Sequence, residues 1–387
     1  MITDVTFAKV VFILGNAWLF LGLFTLFPPS PLKTVREDRL RLALLLAFLV
    51  ITALIIGLRR RDVGVDTPKY VAAFESGEKA SYHALELYEP GYVYLGLALK
   101  EVLREYNFYL ALVSFAMGFF ILWAYRHLLK EGLYPLAFAL YLSTFVFWWT
   151  NLSILRQGLA ISLIFYVYAL LEERRWRQAF LIYLLSCLWH FSALFFPAAY
   201  VLYHLYLYLY RRKPFIFWLV LGVVLANLAY PGSLVHWVVR VVVDYAYHLT
   251  GAPFFERARF YFFWPELTPW HVKHVYFLIL ALFVLATFFI KKSEALLRAH
   301  TFILVGLTVL VLTKFDQMVA DRMFMYFVPG VPLLILRLVP AALPLARDRN
   351  LAYAGVFLGA MVWFNVKFYL LQYASWFINP VRAIMKM

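Results

Sequence analysis

The sequence predicts an all-α polytopic membrane protein with about twelve transmembrane helices. Of the 387 residues, 65% are hydrophobic and only 15% are charged, which is atypical of a soluble domain of this size. Runs of about 20 apolar residues, the length of helix that crosses a bilayer core, recur throughout the chain. The first run, 7–27, lacks a basic n-region and a small-residue cleavage site, so we expect a retained helix and not a signal peptide.

Hydropathy divides the chain into these predicted crossings. Their approximate spans are 7–27, 40–58, 107–126, 133–150, 154–171, 178–190, 193–210, 214–230, 272–290, 301–313, 323–338 and 351–371. Neither a Gly/Ser-rich linker nor a repeat of fixed period separates them, so we expect 1–387 to form a single transmembrane domain.

Two apolar stretches indicate which loops share a side of the membrane. Residues 133–171 carry one charge, Arg156, and lie between two short basic loops. Residues 178–210 also lie between basic loops, with His190 near the predicted turn. A single helix of either length would exceed the roughly 30 Å bilayer core, so each stretch is predicted to be a helical hairpin. Short basic loops are cytoplasmic by the positive-inside rule, so both hairpin turns should face outward.

The same parity places both termini and two long segments, 59–106 and 231–271, on the outer side of the membrane. Asp66 and Glu89 each come just before a proline, in a position typical of a helix start, so we expect these outer loops to contain helices. Three consecutive arginines, 59–61, begin the first segment, although basic residues favour the cytoplasmic side. Long loops determine topology only weakly, and we expect this placement to have a functional reason.

The formal net charge of +15 has a simple interpretation in such a protein. Basic cytoplasmic loops and contacts with anionic lipids account for it, so we expect no nucleic-acid partner. Cys187 is the one cysteine, so no intramolecular disulfide can form. The sequence has no P-loop, GxGxxG or GxSxG motif, and no carboxylate or cysteine pattern completes a metal site with His271 and His274. We therefore expect neither a cofactor nor a metal.

The predicted outer side collects ionisable residues from distant parts of the chain. They are Arg59, Arg60, Arg61, Asp62, Asp66, Glu89, Arg156, His190, Asp321 and Arg322. Arg156 is the strongest candidate, because an ionisable residue inside an apolar membrane hairpin is by default a functional candidate. Structural roles remain open for the others: arginines at helix ends snorkel, Asp66 can cap a helix, His190 can be a hydrogen-bonded core residue, and Arg322 can form a local ion pair.

Clustered guanidinium groups on the outer side predict an anionic ligand. A guanidinium makes planar, bidentate contacts with phosphate or carboxylate. A lipid-linked pyrophosphate fits this arrangement, since its hydrocarbon tail lies in the bilayer and its charged head lies at the surface. The long outer loops would then hold the group that the pyrophosphate carries.

Five motifs, in order along the chain, resemble those of EpsG-like polysaccharide polymerases, which belong with the Wzy-type polymerases. Residues 58–70 resemble the family pattern R-x-x-x-G-x-D-[T]-x-x-Y, and residues 88–92 resemble E-P-G-[FY]. Residues 154–160 resemble hydrophobic-R-Q-x-hydrophobic-A, and residues 189–194 resemble F-H-x-S-A-L with Trp in place of Phe. Residues 321–327 resemble R-x-x-x-[YF]-F.

The resemblance implies a GT-C-like glycosyltransferase at the outer face of the bacterial cytoplasmic membrane. It implies that a growing glycan on undecaprenyl pyrophosphate is transferred, with inversion, to the non-reducing end of a new lipid-linked repeat unit. The family has one arginine where this chain has three, and the spacing to Gly64 selects Arg60, with Arg59 next. Pyrophosphate contacts are thus expected from Arg59, Arg60, Arg156 and Arg322, and other substrate contacts from Tyr70, Gln157 and Asp321.

Attack by the acceptor hydroxyl requires a general base. We favour His190, because a neutral imidazole is cheaper to bury than a carboxylate and titrates near neutral pH. Asp66 and Glu89 are the alternatives. Fixed arginines can stabilise a pyrophosphate leaving group without a metal ion, so we expect metal-independent transfer.

The expected partners follow from this reaction. They are undecaprenyl-pyrophosphate-linked oligosaccharides and membrane lipids, with a chain-length regulator and a flippase as candidate protein partners. Three other functions remain open on the sequence. An O-antigen ligase-like enzyme would use the same donor with another acceptor, a lipid-linked oligosaccharide flippase would form no bond, and a different GT-C transferase would use a lipid monophosphate donor.

Overall fold

The computed structural model describes the backbone of residues 4–24, 35–61, 63–64, 66–76, 89–129, 132–144, 146–229, 241, 244–251, 293–313, 317–343 and 346–373. Within those ranges every regular element is a helix, which confirms the all-α prediction. Among the described residues, five helical segments are long and apolar enough to cross a membrane. They are Asp38–Gly57, Tyr106–Leu128, Leu155–Glu172, Phe191–Arg212 and Glu294–Thr313. The predicted crossing 272–290 lies outside the described residues.

The chain divides into two compact units, one formed by Met1–Leu194 with Leu343–Met387 and the other by Phe195–Ala342. The α-helices, in chain order, are α1 (Asp4–Phe24), α2 (Val35–Gly57), α3 (Thr67–Ser76), α4 (Pro90–Leu103), α5 (Tyr106–Leu128), α6 (Tyr134–Ser143), α7 (Val146–Leu152), α8 (Leu155–Glu172), α9 (Trp176–Trp189), α10 (Phe196–Arg212), α11 (Pro214–Ala229), α12 (Glu294–Thr313), α13 (Gln317–Phe324), α14 (Gly330–Ala342) and α15 (Ala346–Tyr373). A short 3-10 helix, Phe191–Phe195, follows α9. The prediction of a single domain over 1–387 stays a prediction.

Helix α8 forms the buried centre of the first unit. Nearly every side chain from 155 to 170 is buried, and the helix packs against both α5 and α9. At Gly158 a Cβ atom would lie 2.6 Å from the Cβ of Thr150 and 2.9 Å from the Sδ of Met117, so the glycine admits α7 and α5 close to α8. Small residues at such contacts are typical of helices that pack within membranes. The first turn of α8, which carries Arg156, therefore stands on a tightly packed support.

Contacts at the two ends of the first unit show how its long helices run. At one end, Asn107 Nδ2 donates a hydrogen bond to the Gly57 carbonyl, so the end of α2 meets the beginning of α5. At the other end, Asp38 accepts hydrogen bonds from Arg126 Nη2 at 3.1 Å and from the Tyr134 hydroxyl at 3.0 Å. The beginning of α2 therefore meets the end of α5 and the beginning of α6. This antiparallel order agrees with the order that the charge pattern predicts.

The predicted crossing 133–150 is not one continuous helix. It is divided into α6 and α7, and α6 alone is about 15 Å long, half of a bilayer core. Carbonyl groups left without helical partners at the break are bonded by side chains. Ser143 Oγ donates to the Leu140 carbonyl at 2.6 Å, and Trp148 Nε1 donates to the Leu142 carbonyl at 3.1 Å. A helix can be interrupted at membrane depth when its backbone groups are satisfied in this way.

Two other boundaries differ from the predicted ones. The crossing predicted at 301–313 begins earlier, at Glu294, because Arg298 Nε bonds to the Glu294 carboxylate at 2.8 Å and stabilises a charged first turn that hydropathy does not detect. The crossing predicted at 323–338 is two helices, α13 and α14, joined by a turn. Pro329 lies in that turn, where its missing N–H cannot continue a helix.

In the second unit, α10, α11, α13 and α14 pack against α12. The Tyr206 hydroxyl lies 2.8 Å from Thr308 Oγ1 and links α10 to α12. Gly306 admits the Phe327 side chain, since a Cβ atom at Gly306 would lie 2.6 Å from it. Helix α13, which carries two of the predicted site residues, is therefore supported by the buried helix α12.

Candidate active site

The first arginine of the triplet, Arg59, is completely buried. Its Nη1 donates to the Ile56 carbonyl at 3.1 Å, and its Nη2 donates to Thr67 Oγ1 at 3.3 Å. The Thr67 hydroxyl in turn donates to the Leu152 carbonyl at 3.0 Å. The guanidinium thus contacts the C-terminal end of α2 directly and the C-terminal end of α7 through Thr67. The C-terminal end of a helix carries the negative end of its dipole, which favours a nearby cation. Arg59 fastens the loop after α2 to the turn before α8.

Burial changes the acid–base behaviour of this side chain. Desolvation lowers the pKa of Arg59 to about 9, while the nearby Tyr106 and Tyr70 act in the opposite direction. The group therefore stays positively charged at neutral pH. Its Nε is buried without a hydrogen-bond partner in the part of the chain that the structure describes. Arg59 is thus a structural clamp in this structure, and its expected contact with pyrophosphate stays a prediction.

Gly64 allows the loop to reach the end of α7. Its φ angle is +95°, a conformation that L side chains rarely adopt. A Cβ atom at Gly64 would lie 1.7 Å from the Leu152 carbonyl oxygen, the same oxygen that accepts the Thr67 hydrogen bond. The glycine of the first motif is therefore required by the close approach of two backbone segments.

The three adjacent arginines have different surroundings. Arg61 is exposed and forms an ion pair with Glu75, with Nη2 2.7 Å from Oε1, while its guanidinium lies 5.1 Å from the centre of the Tyr106 ring. It thus ties the loop to the end of α3. Arg60 lies between this exposed tether and the buried Arg59, with a side chain of intermediate exposure. The contacts of Arg60 and Arg59 with pyrophosphate both stay predictions, and Arg60 is the more accessible of the two.

Glu89, Arg156 and His190, which belong to three different motifs, meet in the first unit. Glu89 precedes α4 and is 5% exposed. Its Oε2 forms an ion pair with Arg156 Nη1. Its Oε1 accepts the backbone N–H of Phe191 at 3.3 Å and lies 4.0 Å from His190 Nε2. The carboxylate is therefore held by groups from the start of α8 and from the end of α9.

Arg156 occupies an unusual position for a cation. It is the second residue of α8, and a positive charge at a helix N-terminus is disfavoured by the helix dipole. The Glu89 carboxylate, the Tyr70 hydroxyl and the Tyr92 ring, whose centre is 5.7 Å from the guanidinium, compensate the charge. The rings of Tyr70 and Tyr92 lie 5.7 Å apart. Because 19% of the Arg156 side chain remains accessible, the guanidinium can also meet a ligand.

A hydrogen bond from Ser192 determines which nitrogen of the His190 ring carries the proton. His190 ends α9, and its Nδ1 accepts the backbone N–H of Ser192 at 3.2 Å, with Ser192 Oγ 2.6 Å away. Because Nδ1 accepts, the proton of the neutral ring is on Nε2, the nitrogen that faces Glu89. The preceding Trp189 is buried against Tyr92, with ring centres 5.9 Å apart, and anchors this turn.

The remaining predicted residues are less closely connected to this centre. Asp66 lies at the start of α3, as expected for a helix start, and its Oδ1 is 3.4 Å from Lys69 Nζ. Gln157 is buried on α8 beside Arg156 in the sequence. Asp321 and Arg322 lie on α13 in the second unit, so their contacts with substrate stay predictions. Among the described residues, no group of three or more His, Cys, Asp or Glu could hold a metal ion.

Sequence reasoning missed four groups that the structure adds to the site. These are the Thr67 hydroxyl, the Tyr92 ring and the backbone N–H groups of Phe191 and Ser192. Each of these groups lies inside or beside one of the five motifs, so the motifs were the only feature of the sequence that could have indicated them. Their roles depend on contacts between segments that are distant in the sequence.

The chain matches a known protein family. The family model described as "EpsG family" matches residues 42–378, which include every residue of the candidate site. Neither a curated protein nor a solved structure matches the chain.

Proposed function

Because this chain belongs to the EpsG family, which is associated with polysaccharide polymerisation, we propose that it is a Wzy-type glycosyltransferase. It joins oligosaccharide repeat units carried on undecaprenyl pyrophosphate by inverting transfer. The reaction takes place at the outer face of the bacterial cytoplasmic membrane, in a GT-C-like arrangement of helices. Its partners are the lipid-linked oligosaccharides, the surrounding lipids, and a chain-length regulator and flippase.

One observation carries this proposal. The Arg156 guanidinium lies in the first turn of α8, a helix long and apolar enough to cross a membrane. The helix dipole disfavours a cation there, yet Glu89 compensates the charge and 19% of the Arg156 side chain remains accessible. Burying an ionisable group in a membrane protein costs free energy, and ionisable residues that are buried despite this cost typically belong to substrate or ion sites. A guanidinium there suits a pyrophosphate, because it binds phosphate oxygens through a planar fork of N–H donors.

The chemistry of the transfer assigns further roles. The acceptor hydroxyl attacks the anomeric carbon of the donor glycan, the bond from that carbon to the pyrophosphate oxygen breaks, and undecaprenyl pyrophosphate leaves. Arg156, with Arg60 and Arg322, stabilises the charge that develops on the leaving group. Gln157, Tyr70 and Asp321 contact the remainder of the substrates. A base accepts the proton of the acceptor hydroxyl, with Glu89, Asp66 and His190 as the candidates.

The reaction itself is the decisive test. The purified protein in lipid nanodiscs, supplied with a defined lipid-pyrophosphate repeat unit, should form a ladder of products that differ by one repeat unit. A chelator should leave the ladder unchanged, because arginines and not a metal ion stabilise the leaving group.

Other outcomes would support rival functions. Transfer of glycan only to an acceptor that is not a repeat unit would indicate a ligase. Movement of the lipid between leaflets without a new glycosidic bond would indicate a flippase. Loss of the ladder on chelation would contradict metal-independent transfer.

The proposed topology can be tested separately. In a Cys187→Ser background, a cysteine replacing Glu78 lies in the first long segment, and a cysteine replacing Arg175 lies in a short basic loop. A membrane-impermeant maleimide should label position 78 in intact cells and position 175 only after the membrane is opened. Labelling in the reverse pattern would contradict an outward-facing site.

A further inference from the structure

We infer that Glu89 is the general base of the transfer and that His190 is a positioning residue that orients the Glu89 carboxylate. The inference rests on the proposed glycosyl transfer and deepens it, because it assigns the proton-transfer step to one side chain. It departs from the sequence-based preference for His190. The reasons are the hydrogen bonds of the imidazole and the position of the carboxylate.

The imidazole of His190 is badly placed to accept a proton. A backbone N–H cannot turn away as a hydroxyl can, so the N–H of Ser192 fixes Nδ1 as an acceptor. A proton added to Nδ1 would face that N–H and break the bond. The other nitrogen, Nε2, already carries a proton and has no lone pair for the acceptor hydroxyl. His190 is therefore a donor in this site.

The donor side of His190 faces Glu89. Nε2 lies 4.0 Å from Oε1, and the backbone N–H of Phe191 bonds to the same oxygen at 3.3 Å. Both groups come from the end of α9, so this turn holds one carboxylate oxygen by the Phe191 N–H and places the His190 ring beside the same oxygen. The second oxygen, Oε2, is then directed towards Arg156. A carboxylate fixed in this way presents one oxygen to the group that we propose binds the donor.

Binding of the donor would make Oε2 available. A phosphate that takes up N–H donors of Arg156 competes with the Glu89 carboxylate for the same guanidinium. Oε2 then accepts the proton of the acceptor hydroxyl while the oxygen of that hydroxyl bonds to the anomeric carbon. The bond from that carbon to pyrophosphate breaks, and its electron pair leaves with undecaprenyl pyrophosphate. Arg156 thus couples donor binding to the release of the base.

Two substitutions separate the roles of Glu89 and His190. In His190→Gln, the amide oxygen can accept the Ser192 N–H and the amide nitrogen can donate to Glu89, but the side chain cannot act as a base. This variant should keep the polymerisation rate within about tenfold of wild type and should keep the acidic limb of the pH–rate profile. Glu89→Gln should lower the rate about a hundredfold or more and abolish the acidic limb, because the proton acceptor is lost.

Controls keep the result interpretable. Glu75→Gln removes an exposed carboxylate that pairs with Arg61, and it should leave both the rate and the pH–rate profile unchanged. Glu89→Gln should still be stabilised against heat by a lipid-pyrophosphate donor. If Glu89→Gln does not fold, Glu89→Asp tests whether a carboxylate is the base. This variant keeps a carboxylate, so it should keep the acidic limb of the pH–rate profile at a reduced rate.

The opposite pattern would overturn the inference. Loss of the acidic limb in His190→Gln, with the limb retained in Glu89→Gln, would make the imidazole the base. Near-normal rates and profiles in both variants would make the ion pair of Glu89 with Arg156 purely structural. Failure of the wild-type protein to extend a repeat unit in the same assay would instead overturn the proposed function itself.

Discussion

Arg156→Lys is expected to lower the polymerisation rate about 30- to 1,000-fold, which corresponds to roughly 2–4 kcal/mol of activation free energy. Lysine keeps a positive charge that can pair with Glu89, so the buried carboxylate is not left alone and the fold should persist. A compact ammonium group does not reproduce the planar fork that binds phosphate oxygens. The effect should therefore appear in the turnover of correctly folded protein.

A matched variant exists in the first loop. Arg61→Lys makes the same change at an exposed arginine that pairs with Glu75, and exposed ion pairs contribute about 0–1 kcal/mol. It should leave the rate near that of wild type. Rates of both purified variants, with their thermal unfolding temperatures, test the prediction. Normal turnover by Arg156→Lys would remove Arg156 from the proposed pyrophosphate contacts.

Gly64→Ala is expected to destabilise the first unit by about 2–4 kcal/mol. The left-handed backbone conformation costs about 1–2 kcal/mol for a residue with a side chain. The added Cβ atom would also lie 1.7 Å from the Leu152 carbonyl oxygen, so the loop must move away. That movement breaks the hydrogen bond from Thr67 to Leu152 and leaves buried polar groups unsatisfied.

Gly96→Ala makes the same chemical change where it should do no harm. Gly96 lies inside α4, nothing lies within 4 Å of its Cβ position, and alanine favours a helix by up to about 1 kcal/mol over glycine. Thermal unfolding in one detergent compares the two variants directly. Equal unfolding temperatures would show that the loop is not held against the end of α7.

Long apolar helices were the part of the fold that the sequence predicted well. The crossings predicted at 107–126 and 154–171 correspond to α5 (Tyr106–Leu128) and α8 (Leu155–Glu172). Hydropathy works here because a membrane helix satisfies its own backbone and needs only apolar side chains over its length. The break within 133–150 was missed, because it depends on side chains that bond to particular carbonyl groups and not on average hydropathy.

The candidate site was predictable as a set of motifs but not as a geometry. The sequence predicted that Glu89, Arg156 and His190 lie on the same side of the membrane. In the structure of the first unit, Glu89 lies against both Arg156 and His190. Asp321 and Arg322 lie in the second unit, where their proposed role in the reaction is still to be tested. The hydrogen bond that assigns the His190 proton to Nε2 comes from a backbone N–H, which no residue pattern reveals.

The membrane class, the motifs of the family and the residues that could bind an anion can all be read from the amino-acid sequence. The different surroundings of the three adjacent arginines depend on the folded chain: Arg59 is buried as a clamp, Arg61 is exposed as a tether, and Arg60 has intermediate exposure. Hydropathy and charge belong to short segments and can be read locally. Burial and hydrogen-bond partners cannot be read from short segments, because they depend on contacts between distant parts of the chain. Arg59 donates a hydrogen bond to Thr67, which donates one to Leu152, 85 positions further along the chain from Thr67.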